Sequence, residues 1–180
     1  MKKLLIGLMG AVFFLNANAQ APELAATCVA CHGENGVSSN TLWPHLAGQQ
    51  PDYLAQEMRA FRDGVRVDQG MPAALLEGVS DTQITELADY YSALEPATPA
   101  PVDEGSPGQH VRANCVSCHG MAGVTVTSIW PNLAAQQEAY LKKQLLDYRS
   151  GKRDHPIMVV IANELTEEQI AAVAKYYSQH

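Results

Sequence analysis

Cys28-Val29-Ala30-Cys31-His32 and Cys115-Val116-Ser117-Cys118-His119 use all four cysteines of this 180-residue chain. Cys-x-x-Cys-His is the pattern through which a haem is fixed to protein: two thiols become thioethers on the porphyrin, and the adjoining imidazole reaches the iron. A zinc site built on four cysteines does not need a histidine behind each pair, and a redox dithiol has no reason to occur twice. The reading is two covalent haem c groups, held through Cys28, Cys31, Cys115 and Cys118, with His32 and His119 as first axial ligands.

Working outward, a shift of 87 positions carries Gly33 to Gly120, Gly36 to Gly123, Trp43-Pro44 to Trp130-Pro131 and Gln49-Gln50 to Gln136-Gln137. It also carries Tyr53-Leu54 to Tyr140-Leu141, Arg66 to Arg153 and Met71 to Met158, and a shift of 86 then aligns Tyr90-Tyr91-Ser92 with Tyr176-Tyr177-Ser178. The chain is one unit written twice. Between the copies, Glu95-Pro96-Ala97-Thr98-Pro99-Ala100-Pro101 is too rich in proline to continue a helix and reads as a semi-rigid linker. The expected division is a unit over 20–95, a linker over 96–105 and a second unit over 106–180.

Each copy reads as helical. Pro51 suits a helix start, with Leu54, Met58 and Phe61 on one face and Gly64 as the stop; Leu141, Leu145, Tyr148 and Gly151 repeat this. Ser80-x-x-Gln83 and Thr166-x-x-Gln169 are capping boxes for a last helix whose apolar faces are Ile84, Leu87, Ala88 and Tyr91, and Ile170, Val173, Ala174 and Tyr177. No alternating strand pattern of any length is present, so the fold class is all-α, two small domains in tandem.

The second axial position decides between an electron carrier and an enzyme, because a thioether opposite histidine closes the iron whereas an empty site admits a reactant. Met71 follows Cys28 by 43 residues and Met158 follows Cys115 by the same 43, which selects this pair. Met58 aligns with Leu145 on an apolar face, and Met121 lies too close to its own motif. His45, His110, His155 and His180 are not duplicated and read as surface or hydrogen-bonding residues. Pro44 and Pro131 stand 12 residues after His32 and His119, where a carbonyl can hold the other ring nitrogen; a rigid turn is the plainer alternative. Arg66 and Arg153 are open between pairing with haem propionates and facing solvent.

The N-terminus reads Met1-Lys2-Lys3, an apolar run to Leu15, then Ala17-Asn18-Ala19, the form of a secretory leader over 1–19; an uncleaved anchor is the alternative. The net charge is −7, which argues against nucleic acid and anionic lipid. The acidity is uneven: residues 20–95 hold eleven Asp and Glu against three Arg, whereas 106–180 hold six against seven Lys and Arg. Such a dipole either orients the molecule at its partners or serves solubility.

Taken with the Trp-Pro-x-Leu-Ala stretches at 43–47 and 130–134 and the paired tyrosines, these motifs resemble the dihaem cytochromes c of the cytochrome c4 family over the whole mature chain. The resemblance implies two class I cytochrome c folds related by a pseudo-two-fold, with haem propionate edges facing across the interface. It implies a periplasmic electron shuttle between a quinol-oxidising complex and a terminal oxidase or reductase, with peripheral membrane contact. A cytochrome subunit of a larger dehydrogenase, such as a flavin-containing sulfide dehydrogenase, stays open, as does a dihaem peroxidase or thiosulfate-oxidising enzyme. His155-Pro156-Ile157-Met158 is similar to the family's methionine loop, and Gln69-Gly70-Met71 is looser.

Overall fold

One capping box and one proline-led helix frame each half. The computed structural model describes residues 21–102 and 105–180, and the leader expected over 1–19 lies outside the described residues. The first half contains α1 (Ala25–His32), α2 (Pro51–Arg62), a 3₁₀ turn (Ala73–Leu76) and α3 (Asp81–Ser92). The second contains α4 (Gly108–Val111), a 3₁₀ turn (Arg112–Asn114), α5 (Val116–His119), α6 (Glu138–Ser150), α7 (Pro156–Glu164) and α8 (Glu167–Ser178). Among the described residues there is no strand, only an isolated bridge between Asp68 and Met71. No helix among them is long and apolar enough to cross a membrane.

The last helix of each half begins where the sequence says. Ser80 accepts from the Gln83 N–H while the Gln83 side chain returns to the Ser80 N–H, and Thr166 with Gln169 does the same. Each box satisfies two of the donors that a helix start leaves unpaired and is worth about 1 kcal/mol. The apolar stripe of α3 buries Ile84, Leu87, Ala88 and Tyr91, and that of α8 buries Ile170, Val173, Ala174 and Tyr177. Ile84, Leu87 and Ile170 are fully enclosed, each contributing about 1.5–3 kcal/mol of transfer free energy. Helix α2 packs on α3 and α6 packs on α8, so each half closes one side of its core with this pair.

The long irregular stretches between the Cys-x-x-Cys-His helices and α2 or α6 are also built twice. The Leu46 and Ala47 N–H groups both donate to the Gly36 carbonyl, as those of Leu133 and Ala134 do to Gly123. Gly33 and Gly120 end their helices at φ +79, and an added Cβ would stand 2.3 and 2.1 Å from the Val37 and Val124 carbonyl oxygens. Only glycine fits both the backbone angle and the space.

A reciprocal amide clasp joins the halves. The His45 N–H donates to Gln136 Oε1 at 2.8 Å and Gln136 Nε2 donates back to the His45 carbonyl at 3.0 Å. Its mirror is the Asn132 N–H on Gln49 Oε1 at 2.7 Å, with Gln49 Nε2 on the Asn132 carbonyl at 2.9 Å. Gln50 reaches the Thr125 carbonyl and Gln137 the Ser38 carbonyl. The Tyr53 N–H, an otherwise unpaired donor in the first turn of α2, is taken up by the Ser128 carbonyl of the other half. The duplicated Gln-Gln pairs therefore act as the seam of a pseudo-two-fold molecule.

The two methionine regions differ. Met158 lies in the first turn of α7, not in a loop, whereas Met71 precedes its 3₁₀ turn. Proline position accounts for this. Pro156 sits at the first turn of α7, behind a His155 side chain that accepts from the Ile157 and Met158 N–H groups, so the helix starts before the methionine. In the first half the proline is Pro72, after Met71, and the turn it starts stops at Glu77-Gly78.

Candidate haem-binding site

Each Cys-x-x-Cys-His brings its histidine to the end of a short helix, where the positive-φ glycine turns the chain away. His32 Nδ1 lies 2.9 Å from the Pro44 carbonyl and His119 Nδ1 lies 2.9 Å from the Pro131 carbonyl. A carbonyl only accepts, so Nδ1 carries the proton in both rings and Nε2 keeps its lone pair. Burial pushes both imidazoles below the usual histidine range, against the opposing pull of the proline carbonyls. A neutral, oriented ring with a free Nε2 is what a metal-ligating histidine requires.

Both rings open onto a single cavity of about 440 Å³ that runs through the two halves. Its wall includes Cys28, Cys31, Met71 and Tyr91 of the first half, and Cys115, Cys118, Met158 and Tyr177 of the second. The four thiols are half-buried. Burial raises the Cys28 and Cys115 thiols above the usual range, partly offset by the Tyr91 and Tyr177 hydroxyls, so they are protonated at neutral pH. Met71 packs against the first half's core, and its loop is fastened to the second half by an ion pair between Asp68 and Lys143 on α6. Burial pushes the Asp68 carboxyl up, but Lys143, the Gly70 N–H and Arg66 together hold it below its ordinary value.

Arg66 and Arg153 do not face solvent. They meet at the seam, each almost fully covered, around the Glu57 carboxylate. Arg66 also donates to Gln144 Oε1 at 2.7 Å, and Arg153 donates to Gln144 Oε1 at 2.7 Å and to the Tyr53 hydroxyl at 3.1 Å. Burial of Tyr53 pushes its hydroxyl up to about 12 despite the neighbouring Arg153. The cluster holds two cations against one anion, and Gln144 Nε2 is buried without a partner. It borders the shared cavity, so it offers a surplus positive charge and a spare donor to an anionic group there. A macrocycle with two carboxylates, bonded through thiols and imidazole, suits this donor set.

Three of the remaining histidines make hydrogen bonds with nearby backbone groups. His45 Nδ1 accepts from the Ser38 N–H at 3.0 Å, His155 caps α7, and His180 Nδ1 lies 2.7 Å from the Tyr176 carbonyl. Met121 is 68 % exposed. Glu57 and Gln144 were not singled out by the sequence. They occupy equivalent places in the two copies but differ in type, so a search for identities passes over them.

The family comparison agrees with this geometry. The profile described as cytochrome c oxidase, cbb3-type, subunit III matches residues 16–90, and the profile described as cytochrome c matches 106–180. The chain is 34 % identical to cytochrome c4 of Pseudomonas aeruginosa, over 96 % of this chain and 93 % of that one. The chain belongs to the cytochrome c4 family. As a member of that family it is a dihaem electron-transfer cytochrome with two covalently bound haem c groups in tandem cytochrome c domains. The solved cytochrome c4 of Acidithiobacillus ferrooxidans superimposes with a TM-score of 0.79 at 29 % identity, covering 87 % of this chain and 99 % of that one. A thiosulfate dehydrogenase electron acceptor from Thiomonas intermedia is 33 % identical over 96 % of this chain and 88 % of its own.

Proposed function

We propose that this cytochrome c4 family member is a periplasmic one-electron carrier in which both irons are closed by histidine and methionine. Cys28 and Cys31 hold one haem with His32 and Met71 as axial ligands; Cys115 and Cys118 hold the other with His119 and Met158. The observation that carries the reading is the pair of proline-anchored imidazoles, which share one cavity with the two equally spaced methionines. When bound, each haem supplies a ferric–ferrous couple, and the chain supplies ligands that keep the coordination the same in both states. Pro44 and Pro131 orient the imidazoles, the helix cores exclude water, and the seam keeps the two halves in fixed register. The leader over 1–19 directs export, and the residue boundaries 20–95, 96–105 and 106–180 divide the mature chain.

The electron donor is a respiratory quinol-oxidising complex and the acceptor a terminal oxidase or reductase, met by brief peripheral contact with the membrane surface. The relative in Thiomonas intermedia that is named a thiosulfate dehydrogenase electron acceptor supports a second choice of donor, a thiosulfate dehydrogenase. Stopped-flow mixing of the oxidised protein with each donor distinguishes them by which one reduces both haems within the enzyme's turnover time. Exposure of the reduced protein to carbon monoxide tests the closed coordination. The carrier reading expects no spectral change in either haem, and a carbon monoxide adduct at either one overturns it for that half.

A further inference from the structure

The groups bonded to the two seam arginines repeat between the halves, with one carboxylate matched by a carboxamide. The shift of 87 residues relates Tyr53 to Tyr140, Arg66 to Arg153 and Phe61 to Tyr148, and it relates Glu57 to Gln144. The geometry follows the same symmetry. The Arg66 guanidinium stands 4.4 Å over the Phe61 ring, and Arg153 stands 4.6 Å over Tyr148. Each arginine bonds residue 57 or 144 of its own half and reaches across to its counterpart: Arg66 to Glu57 and Gln144, Arg153 to Gln144 and Glu57. Each also meets the opposite tyrosine, Arg66 with Tyr140 at 3.4 Å and Arg153 with Tyr53 at 3.1 Å. Among the groups bonded to the two guanidiniums, one carboxylate faces one carboxamide; the neighbouring Asp68–Lys143 pair, whose equivalents are His155 and Gln56, joins opposite charges and stays constant across the variants below.

We propose that the Glu57/Gln144 mismatch makes the two haem centres electrostatically unequal and so sets the direction in which an electron settles between them. The two guanidinium charges are arranged alike toward both halves, so they largely cancel in the comparison. The Glu57 charge does not cancel. Glu57 sits on α2 beside Met58, between Leu54 and Phe61, which belong to or pack against the first half's core. Gln144 sits on α6 between Leu141 and Leu145, which do the same in the second half. A negative charge closer to the first centre favours its oxidised, more positive iron. An electron shared between the halves therefore resides on the second: first-haem ferrous and second-haem ferric become first-haem ferric and second-haem ferrous, with one electron moved and no proton. A unit charge felt at two distances a few ångströms apart, through an effective dielectric of about 20, shifts that equilibrium by about fivefold.

The experiment is a spectroelectrochemical titration of the holoprotein, with each midpoint assigned to its half from the separately resolved NMR signals of the two haems. Glu57→Gln is expected to favour reduction of the first haem relative to the second by about fivefold. Gln144→Glu, which retains the Glu57 anchor for both arginines, is expected to favour it by a similar factor by disfavouring reduction of the second. The exchange variant Glu57→Gln/Gln144→Glu preserves total charge and the hydrogen-bond framework and is expected to move the ratio by the product of the two factors. A ratio that moves by less than about twofold in Gln144→Glu and in the exchange variant, or moves the opposite way, overturns the proposal. A role in folding alone predicts lower stability in the single variants and no ordered shift in the ratio.

Discussion

Removing Gln136 tests the seam most sharply, because its pseudo-symmetric mate supplies an internal standard. In Gln136→Ala three hydrogen bonds disappear: the His45 N–H and the Gln137 N–H each lose Oε1, at 2.8 and 3.0 Å, and the His45 carbonyl loses Nε2 at 3.0 Å. Gln49→Ala removes the matching set: the Asn132 N–H at 2.7 Å, the Gln50 N–H at 2.9 Å and the bond to the Asn132 carbonyl at 2.9 Å. Both glutamines are buried, so water does not freely replace them. At about 1 kcal/mol for each bond, each variant should lose about 3 kcal/mol. The two losses should agree to within about 1 kcal/mol because the sets of partners are the same. Guanidinium unfolding of the holoprotein followed by far-ultraviolet circular dichroism measures both, with exposed Gln109→Ala as a control expected within about 0.5 kcal/mol of the parent. If either seam variant matches that control, or if the two differ by more than about 2 kcal/mol, the reciprocal clasp does not hold the halves together.

Two further outcomes follow from the backbone and from one titrating side chain. Gly33→Ala places a Cβ 2.3 Å from the Val37 carbonyl oxygen at φ +79, whereas Gly64→Ala at φ +70 meets nothing within 4 Å. The first should cost about 3 kcal/mol or more and lower the yield of haem-loaded protein, and the second about 1 kcal/mol; equal losses in thermal unfolding would contradict the close approach. Burial holds His45 below its ordinary value of 6.5, and its Nδ1 must stay bare to accept from the Ser38 N–H. The unfolded chain therefore takes up this proton first, and stability falls as pH drops from about 6.5 to the lower folded value, then levels off. His45→Asn copies Asn132, whose Oδ1 accepts from the Thr125 N–H, and should be the more resistant to acid over that window. An unchanged difference in unfolding free energy between the two proteins from pH 7 to pH 5 would count against a buried, neutral His45.

What the sequence made legible was what local chemistry determines. The capping boxes at Ser80 and Thr166, the apolar stripes of α3 and α8, and the histidine-to-proline carbonyl bonds each lie within 12 residues along the chain. The helix carrying Met158 was legible too, since the shift from Pro72 behind Met71 to Pro156 ahead of Met158 sets where each helix starts. The seam was harder. Gln49-Gln50 and Gln136-Gln137 stood out as duplicated, but a repeat does not say whether its glutamines face water, their own half or the other one. Sequence does not distinguish a propionate-pairing from a solvent-facing role for Arg66 and Arg153, because their partners are as many as 100 residues distant in the chain. Glu57 and Gln144 carry information only as a difference, and that difference acquires meaning once both are seen on the same pair of guanidinium groups.

The proton NMR spectrum of the fully reduced holoprotein tests the whole account most directly, because a methionine bound to ferrous haem has its methyl group carried far upfield by the ring current. Two such methyl signals are expected, one removed by Met71→Ala and the other by Met158→Ala. A single signal, or two that survive either substitution, would show that sulfur does not close both irons.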